Sequence, residues 1–326
     1  ERLVVTLLSL LFLSTAVFAT VKYVFRAPEL DTDKPVVTPD GTASADADRT
    51  GTDEPDAPGR TRREYCYNIL VSGLDDDNGG SDTNILVRFD VPNKRIDLVS
   101  LPRDTLLHNE YRNNKLNFAY AKGGTELLME QIENLLGVPV DFYVTVNLKG
   151  FIALVDQIDG VDFDIPINMD YDDPYQDLHI HFTKGPRHLN GQEAMEVVRF
   201  RHNNDGTGYG TEDIGRIGTQ QAFLKAVAKQ LLQIGNVKNI PALVDIFYTY
   251  VKTDLTTGNL VWLGNEALNI GTENIHFATL PGDGSGYYNK QSVYVLDAQA
   301  TCDLVNEALN PYNEALTLED MDILVP

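Results

Sequence analysis

The chain has 326 residues, 43% of them hydrophobic, so it is long enough to bury the core of one large domain or of two small ones. Its 48 acidic side chains outnumber its 26 lysines and arginines, and the formal net charge at pH 7 is −22. This charge argues against nucleic acid as a partner, because nucleic-acid binding depends on basic side chains that neutralise phosphates.

Residues 3–21 contain no charged side chain and, as a helix, would span the roughly 30 Å hydrocarbon core of a bilayer. We therefore predict that residues 1–26 are an N-terminal transmembrane anchor. A cleaved signal peptide is the alternative, with Val17-Phe18-Ala19 as its cleavage site. The anchor would make this a single-pass protein of the cell membrane, and in both cases we expect the main domain to be extracytoplasmic.

Residues 27–63 hold few large apolar side chains and many Pro, Asp, Thr, Ala and Gly. Such a segment cannot bury enough apolar area to offset the entropy lost on ordering, so we predict a disordered acidic linker. The folded domain is expected over residues 64–312, followed by a C-terminal tail over residues 313–326. The two cysteines, Cys66 and Cys302, are compatible with either a disulfide or two buried thiols.

The domain begins with strand signals. Residues 67–73, 84–90 and 95–101 are short apolar runs, and the four residues 91–94 predict a hairpin turn between the last two runs. Further strands are predicted at residues 141–146, 161–165, 179–182 and 275–280.

Helical spacing of apolar residues predicts helices at residues 116–121, 125–136, 148–158, 190–201, 213–232, 241–250, 259–269 and 297–309. Gly137 is placed to end one of these helices, and Asn190 with Glu193 has the spacing of a capping box. Strands interleaved with helices predict an α/β (mixed α+β) fold, with a central mixed β-sheet flanked by helices on both faces.

Two aspartates flank the loop between the first two predicted strands. Asp75 comes after the first strand, and Asp82 precedes the second. If one sheet edge brings them together, they could hold Mg²⁺, which prefers one or two protein carboxylates together with phosphate oxygens and water. The alternative is that each aspartate only stabilises a turn.

Arginines recur in the motifs that follow. Arg103 stands just after the third strand, where ligands often bind in open α/β sheets, and an ion pair with Asp104 is the alternative. Arg199 and Arg201 close a predicted helix, where complementing the helix dipole is their alternative role. Because arginine binds phosphate through parallel hydrogen bonds, these positions favour a phosphorylated ligand.

The helix predicted at residues 213–232 carries the last candidates. Arg216 and Gln220 are one helical turn apart, so both project from one face. Asp213 lies in the first turn, where the helix dipole stabilises a carboxylate and where capping is its simplest role. Together with the earlier segments, these residues predict a site for a phosphorylated ligand and a divalent cation.

Seven segments follow one another in an order that resembles the LytR-CpsA-Psr family. They are GLD, SDT, SLPRDT, KLNFAYAKGG, FIALVDQIDGVDFDIP, GPRHLNGQEAMEVVRFRH and DIGRIGTQQ, and they run from residue 73 to residue 221. The resemblance covers residues 65–232 and continues more loosely to residue 296.

The resemblance implies a membrane-anchored domain whose sheet and helices enclose an apolar tunnel for a polyprenyl chain. It implies a phosphotransferase, with Mg²⁺ or Mn²⁺ as cofactor, that moves a glycopolymer such as teichoic acid from a polyprenyl diphosphate carrier to peptidoglycan in cell-wall assembly. The expected partners are the polyprenyl-(di)phosphate-linked glycopolymer, the peptidoglycan acceptor and the membrane, through the N-terminal helix. A non-catalytic polyprenyl-phosphate binding protein and a polyprenyl-diphosphate pyrophosphatase are the alternatives.

The resemblance also implies residue roles. Asp75 and Asp82 match the family's metal-binding positions. Catalytic roles fall on Arg103 and Arg216, with Asp213 assisting proton transfer. The implied diphosphate-binding residues are Arg103, Arg199, Arg201, Arg216 and Gln220.

Two positions depart from the family's usual residues. Gly80 stands where an arginine usually precedes SDT, and Thr219 stands where members commonly read Arg-Gln-Gln. The loop over residues 203–211 also looks longer than usual. Losing one charged hydrogen bond to phosphate costs about 1.5–3 kcal/mol, and Arg112 and Lys115 are the candidates to compensate for it.

Overall fold

The computed structural model of the protein describes residues 25–30, 60–74, 80–109, 113–175, 177–210, 213–233 and 246–325. Residues 3–21, where the membrane anchor is predicted, lie outside these ranges, as do residues 31–59 of the predicted linker. Within the described ranges, no helix is both long and apolar enough to cross a membrane.

The described strands are β1 (Cys66–Leu74), β2 (Ser81–Asp90), β3 (Arg95–Leu101), β4 (Phe142–Asn147), β5 (Val161–Ile165), β6 (Met169–Asp173), β7 (Leu178–Phe182), β8 (Gly185–Leu189), β9 (Val251–Thr253), β10 (Ile275–Thr279), β11 (Gly282–Tyr288) and β12 (Gln291–Leu296). The described helices are α1 (Leu116–Leu136), α2 (Leu148–Gln157), α3 (Gly191–Arg199), α4 (Asp213–Gln233), α5 (Thr257–Ile270) and α6 (Ala298–Ala308). Short 3₁₀ turns lie at Thr272–Asn274 and Leu318–Asp320, and residues 246–250 are helical.

Six of the described strands form one mixed sheet in the order β10-β3-β2-β1-β4-β9. β1 pairs antiparallel with β2 and parallel with β4, while β3 pairs antiparallel with β2 and parallel with β10. The strands β1, β3, β4 and β10 therefore all end at the same edge of the sheet. The predicted central mixed sheet is confirmed.

Helices cover both faces of this sheet, as predicted. On one face, Leu70 of β1 belongs to a buried cluster that includes Leu128 of α1 and Val305 of α6. On the opposite face, Ile69 belongs to a second cluster with Leu263 of α5. Successive residues of β1 thus serve two different cores, as the alternation of side chains along a strand requires.

The strands β5 to β8 form a smaller layer beside the sheet, in which β5 pairs with β8 and β6 pairs with β7. With α2, α3 and α4 they enclose a third core that contains Phe163, Ile180, Phe200 and Phe223. Helix α4 belongs to both layers. Its Phe223 is buried in this third core, while its Gln221 donates a hydrogen bond to the carbonyl of Ala278 in β10 at 2.8 Å.

Local sequence signals set several helix ends. Gly137 ends α1 in the left-handed region (φ 66°), and the Asn190 side chain accepts from the backbone of Glu193 in the predicted capping box. The two helices predicted at residues 116–121 and 125–136 are confirmed as the two halves of α1, because Gly123 and Gly124 between them leave the helical conformation. Gly124 adopts φ 68°, a conformation that favours glycine.

The structure differs from the predicted elements at two places. The helix predicted over residues 190–201 ends at Arg199, because Phe200 leaves the helical conformation (φ −60°, ψ 131°) and is fully buried. The sequence analysis predicts none of the strands β6, β8, β9, β11 and β12. Strands β6, β8 and β11 are rich in charged, proline or glycine residues and lack the apolar alternation that indicates a strand, and β9 has only three residues.

Both ends of the stretch predicted to be a linker contact the folded domain. The Tyr67 hydroxyl donates to the carbonyl of Pro28 at 3.0 Å, and Arg62 forms an ion pair with Asp141 at 2.5 Å. The predicted C-terminal tail is packed as well, since its Leu316 is buried in the core beneath α6.

The cysteines are not joined. Cys66 and Cys302 are both free and buried, so the second of the two alternatives holds. Burial raises the pKa of the Cys66 thiol to about 11. This group is therefore a protonated, unreactive thiol at physiological pH.

One ion pair is fully enclosed in the sheet. Arg88 of β2 donates to the Asp97 carboxylate of β3 at 2.7 Å, and the two side chains keep exposed fractions of only 5% and 2%. Arg95 also donates to Asp97, at 2.8 Å, from a more exposed position. Removing one member of such a pair leaves an uncompensated charge in the protein interior.

We therefore expect Asp97→Ala to lower the free energy of unfolding by about 3–5 kcal/mol, measured by urea denaturation. Glu307→Ala is the matched control, because Glu307 also pairs with Arg95 but is 67% exposed, and its loss should cost about 1 kcal/mol or less. Equal losses in the two variants would contradict this assignment.

Candidate functional site

One edge of the central sheet carries Asp82 and Arg103, a predicted metal ligand and a predicted phosphate ligand. The C-terminal ends of β1, β3, β4 and β10 lie at this edge, beside the N-terminal end of β2. Leu74 pairs with both Ser81 and Asn147, and Ser100 pairs with Thr279. Ligands commonly bind beyond the carboxyl ends of strands in such sheets.

A register shift at this edge sets the position of Asp82. Gly73 pairs with Thr83, but the next residue, Leu74, pairs with Ser81, so Asp82 is an extra residue on β2. An extra residue of this kind re-aims its side chain. The Asp82 side chain is 44% exposed, whereas the neighbouring Ser81 is fully buried.

Arg103 contacts this aspartate. Its Nη1 donates to Asp82 Oδ1 at 2.7 Å, whereas Asp104 Oδ2 lies 4.0 Å from Arg103 Nε. The carboxylate of Asp104 is held by Lys115 Nζ at 3.1 Å. The structure therefore joins a predicted metal ligand to a predicted phosphate ligand, and it also places Asp104 at ion-pair distance from Arg103.

The turn that presents Arg103 is tightly hydrogen bonded. The buried Thr105 donates from its backbone and its side chain to the carbonyl of Pro102, at 3.0 and 2.6 Å. The carbonyl of Arg103 accepts from the backbone of Asn117 in the first turn of α1, at 2.9 Å. The backbone of Arg103 is thus held between β3 and α1, which leaves its side chain to point along the sheet edge.

Gly80 lies at the same edge. A Cβ placed on Gly80 would have the carbonyl oxygen of Asn117 as its nearest contact, at 3.8 Å, and the glycine does not adopt a positive φ. The position therefore accepts a side chain without strain. Asp75 and Arg112 lie outside the described residues, and Lys115, one of the two candidates to compensate for Gly80, is engaged with Asp104.

Arg199 and Arg201 flank the buried Phe200 at the end of α3. Arg199 is the last residue of the helix and is half-buried, while Arg201 is exposed. Phe200 leaves the helix in an extended conformation, and Arg199 Nη1 lies 3.9 Å from the sulfur of Met195, a residue of the third core. That Arg199 and Arg201 bind diphosphate together stays a prediction.

Helix α4 ties the arginine segment to the sheet. The side-chain amide of Gln220 donates to the carbonyl of Val198 at 3.0 Å, directly before Arg199. Gln221 donates to Thr279 at the edge of β10, at 2.6 Å. Gln220 is thereby held beside the backbone that carries Arg199, and its contact with diphosphate stays a prediction.

The predicted position of Asp213 is confirmed in its backbone, since α4 begins at this residue. Its side chain lies outside the described part of the chain. Arg216 follows in the first turn; its side chain is half-buried, and its Nε is fully buried.

A narrow crevice connects the two halves of the site. It is lined by Thr83, Ser100, Gln220, Gln221, Leu224 and Phe277, among others, and its free volume of about 10 Å³ is close to that of one water-sized sphere. Thr83 is adjacent to Asp82, and Gln220 is one turn from Arg216. The crevice therefore runs between the sheet edge and the arginine-bearing face of α4.

Sequence reasoning missed Tyr209. Its ring packs against Phe200 with centroids 5.6 Å apart, and its hydroxyl oxygen is buried near Arg216 and Thr219. An aromatic residue in a glycine-rich loop just before a helix is the signal that could have identified it. Among the described residues, no group of three or more His, Cys, Asp or Glu side chains forms a metal site.

The family model for the LytR_cpsA_psr family matches residues 36–310, which is most of the chain. The chain belongs to this family. The resemblance seen in the motifs is therefore confirmed over the sheet, the smaller layer and α4.

Two relatives are 32% identical to this member of the LytR_cpsA_psr family. One is the polyisoprenyl-teichoic acid–peptidoglycan teichoic acid transferase TagU of Bacillus cereus, with 80% of this chain and 83% of TagU aligned. The other is the transferase of the same description, TagV, of Bacillus subtilis, with 72% of this chain aligned. The alignment spans only 61% of the length of TagV. The prediction of an enzyme is confirmed to the extent that both relatives are transferases.

Solved structures of the family share the fold. The crystal structure of Bacillus subtilis TagV has a TM-score of 0.64 and 26% identity, and it aligns 81% of this chain with the whole of that chain. The LytR-Csp2A-Psr enzyme from Actinomyces oris has a TM-score of 0.63 at 19% identity, with 77% of this chain and 94% of that chain aligned.

The pair of Asp82 and Arg103 should contribute little to stability. The exposed fractions of the two side chains are 44% and 31%, and ion pairs this accessible to solvent are worth about 0–1 kcal/mol. We expect Asp82→Asn and Arg103→Gln each to change the free energy of unfolding by about 1 kcal/mol or less in urea denaturation. A loss as large as that expected for Asp97→Ala would identify the pair as structural.

Proposed function

We propose that this protein is a phosphotransferase that moves a glycopolymer from a polyprenyl diphosphate carrier to peptidoglycan in cell-wall assembly. The observation that carries the proposal is the contact of Arg103 with Asp82 at the sheet edge. The names of TagU and TagV, with polyisoprenyl-linked teichoic acid as donor and peptidoglycan as acceptor, support the same reaction class.

The proposed reaction is a phosphoryl transfer. A hydroxyl oxygen of peptidoglycan attacks the phosphorus that bears the glycan, and a new P–O bond forms. The bond from this phosphorus to the bridging oxygen breaks, and the polyprenyl monophosphate leaves. We assign the acceptance of the hydroxyl proton to Asp213, at the start of α4.

Arginines supply the main electrostatic contribution in this proposal. Negative charge develops on the leaving phosphate, and we assign its stabilisation through charged hydrogen bonds to Arg103, Arg199, Arg201 and Arg216. Gln220 contributes indirectly, because its hydrogen bond to Val198 holds the backbone next to Arg199.

The residues present fit a magnesium ion. Asp82 is an exposed carboxylate at the strand edge, and β1 ends at the same edge with Leu74, the residue before Asp75 in the sequence. Mg²⁺ needs only one or two protein carboxylates when phosphate oxygens and water complete its coordination. Asp82 and Asp75 would hold the ion, and when bound it would neutralise charge on the diphosphate. Arg103 would then exchange its contact with Asp82 for one with phosphate.

We assign the polyprenyl chain to the sheet face beneath α4. Leu98 and Phe277 on this face are half-buried, and they line the crevice together with Leu224 of α4. Apolar side chains that are left half-exposed beside a charged site suit a ligand with an anionic head and an apolar tail. Because the crevice has a free volume of only about 10 Å³, the chain can enter only if α4 or these side chains move.

The N-terminal segment fits a protein held at the membrane that provides its substrate. We propose a single-pass anchor at residues 3–21, with the domain on the extracytoplasmic side. A polyprenyl carrier stays in the bilayer, so an anchored enzyme meets donor and acceptor on the same side of the membrane.

The transfer assay uses purified protein, Mg²⁺, a polyprenyl-diphosphate-linked glycan and peptidoglycan. We expect Arg103→Ala and Arg216→Ala each to lower the rate about 100- to 1000-fold, because each removes a group that stabilises developing charge. Arg187→Ala is the matched control, since Arg187 pairs with Glu193 on the surface of the smaller layer and should leave the rate near that of the wild type.

The same assay separates the alternative functions. Release of polyprenyl phosphate without transfer to peptidoglycan would identify a pyrophosphatase. Binding of the donor with neither product would identify a polyprenyl-phosphate binding protein. Either result with the wild-type protein would overturn the proposed transfer.

Gly80 offers a gain-of-function test. Because the position accepts a side chain without strain, Gly80→Arg should place a further cation beside Asp82 and Arg103. We expect it to tighten the binding of a polyprenyl diphosphate about 10-fold or more in calorimetric titration. Gly80→Gln, of similar length but neutral, should show no such gain. Equal affinities of these two variants would contradict a phosphate-facing role for this position.

A further inference from the structure

Tyr209 lies between the two arginine-bearing elements. Its ring packs edge-on against Phe200, the residue between Arg199 and Arg201, with an interplanar angle of 70°. On its other side it contacts the first turn of α4, where a Cβ added to Gly215 would overlap Tyr209. The absence of a side chain at Gly215 is what lets the ring approach the helix.

The hydroxyl of Tyr209 is enclosed at this junction. Its oxygen is buried and makes no well-formed hydrogen bond with the described residues. Burial raises the pKa of Tyr209 above its usual range, although the Thr219 hydroxyl and the Arg216 guanidinium act in the opposite direction. The phenol is therefore protonated at physiological pH, and it lies near enough to Arg216 for the two groups to interact.

Thr219 lies under Tyr209 on the same face of α4. It is only 5% exposed, and its hydroxyl donates to the carbonyl of Gly215, one turn earlier, at 3.1 Å. A long side chain at position 219 would have to displace the Tyr209 ring. The small residue at position 219 and the loop that carries Tyr209 are therefore matched to each other.

We propose that Tyr209 is a positioning residue, which holds Arg216 at a set distance from Arg199 and Arg201 and fills the space that an arginine at position 219 would need. This inference rests on the proposed function, because it assigns these arginines to one diphosphate. It explains why the longer loop and Thr219 occur in the same chain.

The first experiment compares Tyr209→Ala with Tyr209→Phe in the transfer assay. Without the ring, Arg216 can shift relative to Arg199 and Arg201, and a misplacement of about 1 Å costs on the order of 100-fold in rate. We expect Tyr209→Ala to lose about this factor in kcat/KM, mostly in kcat, and Tyr209→Phe to stay within about 10-fold of the wild type. Tyr175→Ala is the matched control, because Tyr175 is fully exposed and should leave both constants unchanged.

The second experiment is a double-mutant cycle with position 219. Thr219→Arg alone should weaken the binding of geranylgeranyl diphosphate and lower the unfolding temperature, because the arginine collides with Tyr209. Tyr209→Ala combined with Thr219→Arg should recover both quantities above the value expected for additive effects. If Thr219→Arg alone tightens binding, or if the two substitutions are additive, Tyr209 does not fill this space.

The two proposals fail in different ways. If the wild type neither binds the diphosphate nor transfers glycan, the proposed function is wrong, and with it the positioning role. The unfolding cycle then still decides the packing of Tyr209 against position 219. If the wild type is active and Tyr209→Ala keeps the wild-type kcat, only the positioning role is overturned.

Discussion

The contact of Arg103 with Asp82 depends on the register of three strands. The shift between β1 and β2 makes Asp82 an extra residue that turns outward, and β3 ends where Arg103 can reach it. The buried Arg88–Asp97 pair joins the same two strands, β2 and β3, farther along the sheet. A one-residue shift in register would move every side chain of a strand to the opposite face of the sheet. Burial of the apolar faces therefore fixes the register, and the register fixes the positions of Asp82 and Arg103.

Helix α4 contacts both the central sheet and the smaller layer. Its Phe223 is buried in the core of the smaller layer, its Gln221 bonds to β10, and its Gln220 bonds to the backbone before Arg199. Arg216 is therefore placed by contacts with three different elements. The protein is strongly acidic, with a net charge of −22, so the arginines near this helix are a local exception. A diphosphate would be attracted at short range to the site and not to the rest of the surface.

The two departures from the usual family residues have different structural meanings. Gly80 is open to a side chain, so its surroundings leave room for the arginine that the family usually carries there. Thr219 is buried beneath Tyr209, so the space of an arginine at that position is already occupied. The loss of the usual arginine thus removes a cation at position 80. At position 219 the same loss accompanies a change in packing. Only the surroundings of each residue distinguish the two cases.

The sequence by itself determined the order of most strands and helices, the capping of α3, the end of α1 at Gly137 and the family, because these depend on local spacing and on motifs. It also selected Asp82, Arg103 and Arg216. It did not determine that Arg103 donates a hydrogen bond to Asp82, that Gln220 donates one to the carbonyl of Val198, or that Tyr209 packs against Phe200. Those contacts join residues 21, 22 and 9 positions apart in the chain, and strand register and the burial of Phe200 bring them together. Such contacts are decided by packing over whole layers, which no short segment of sequence contains.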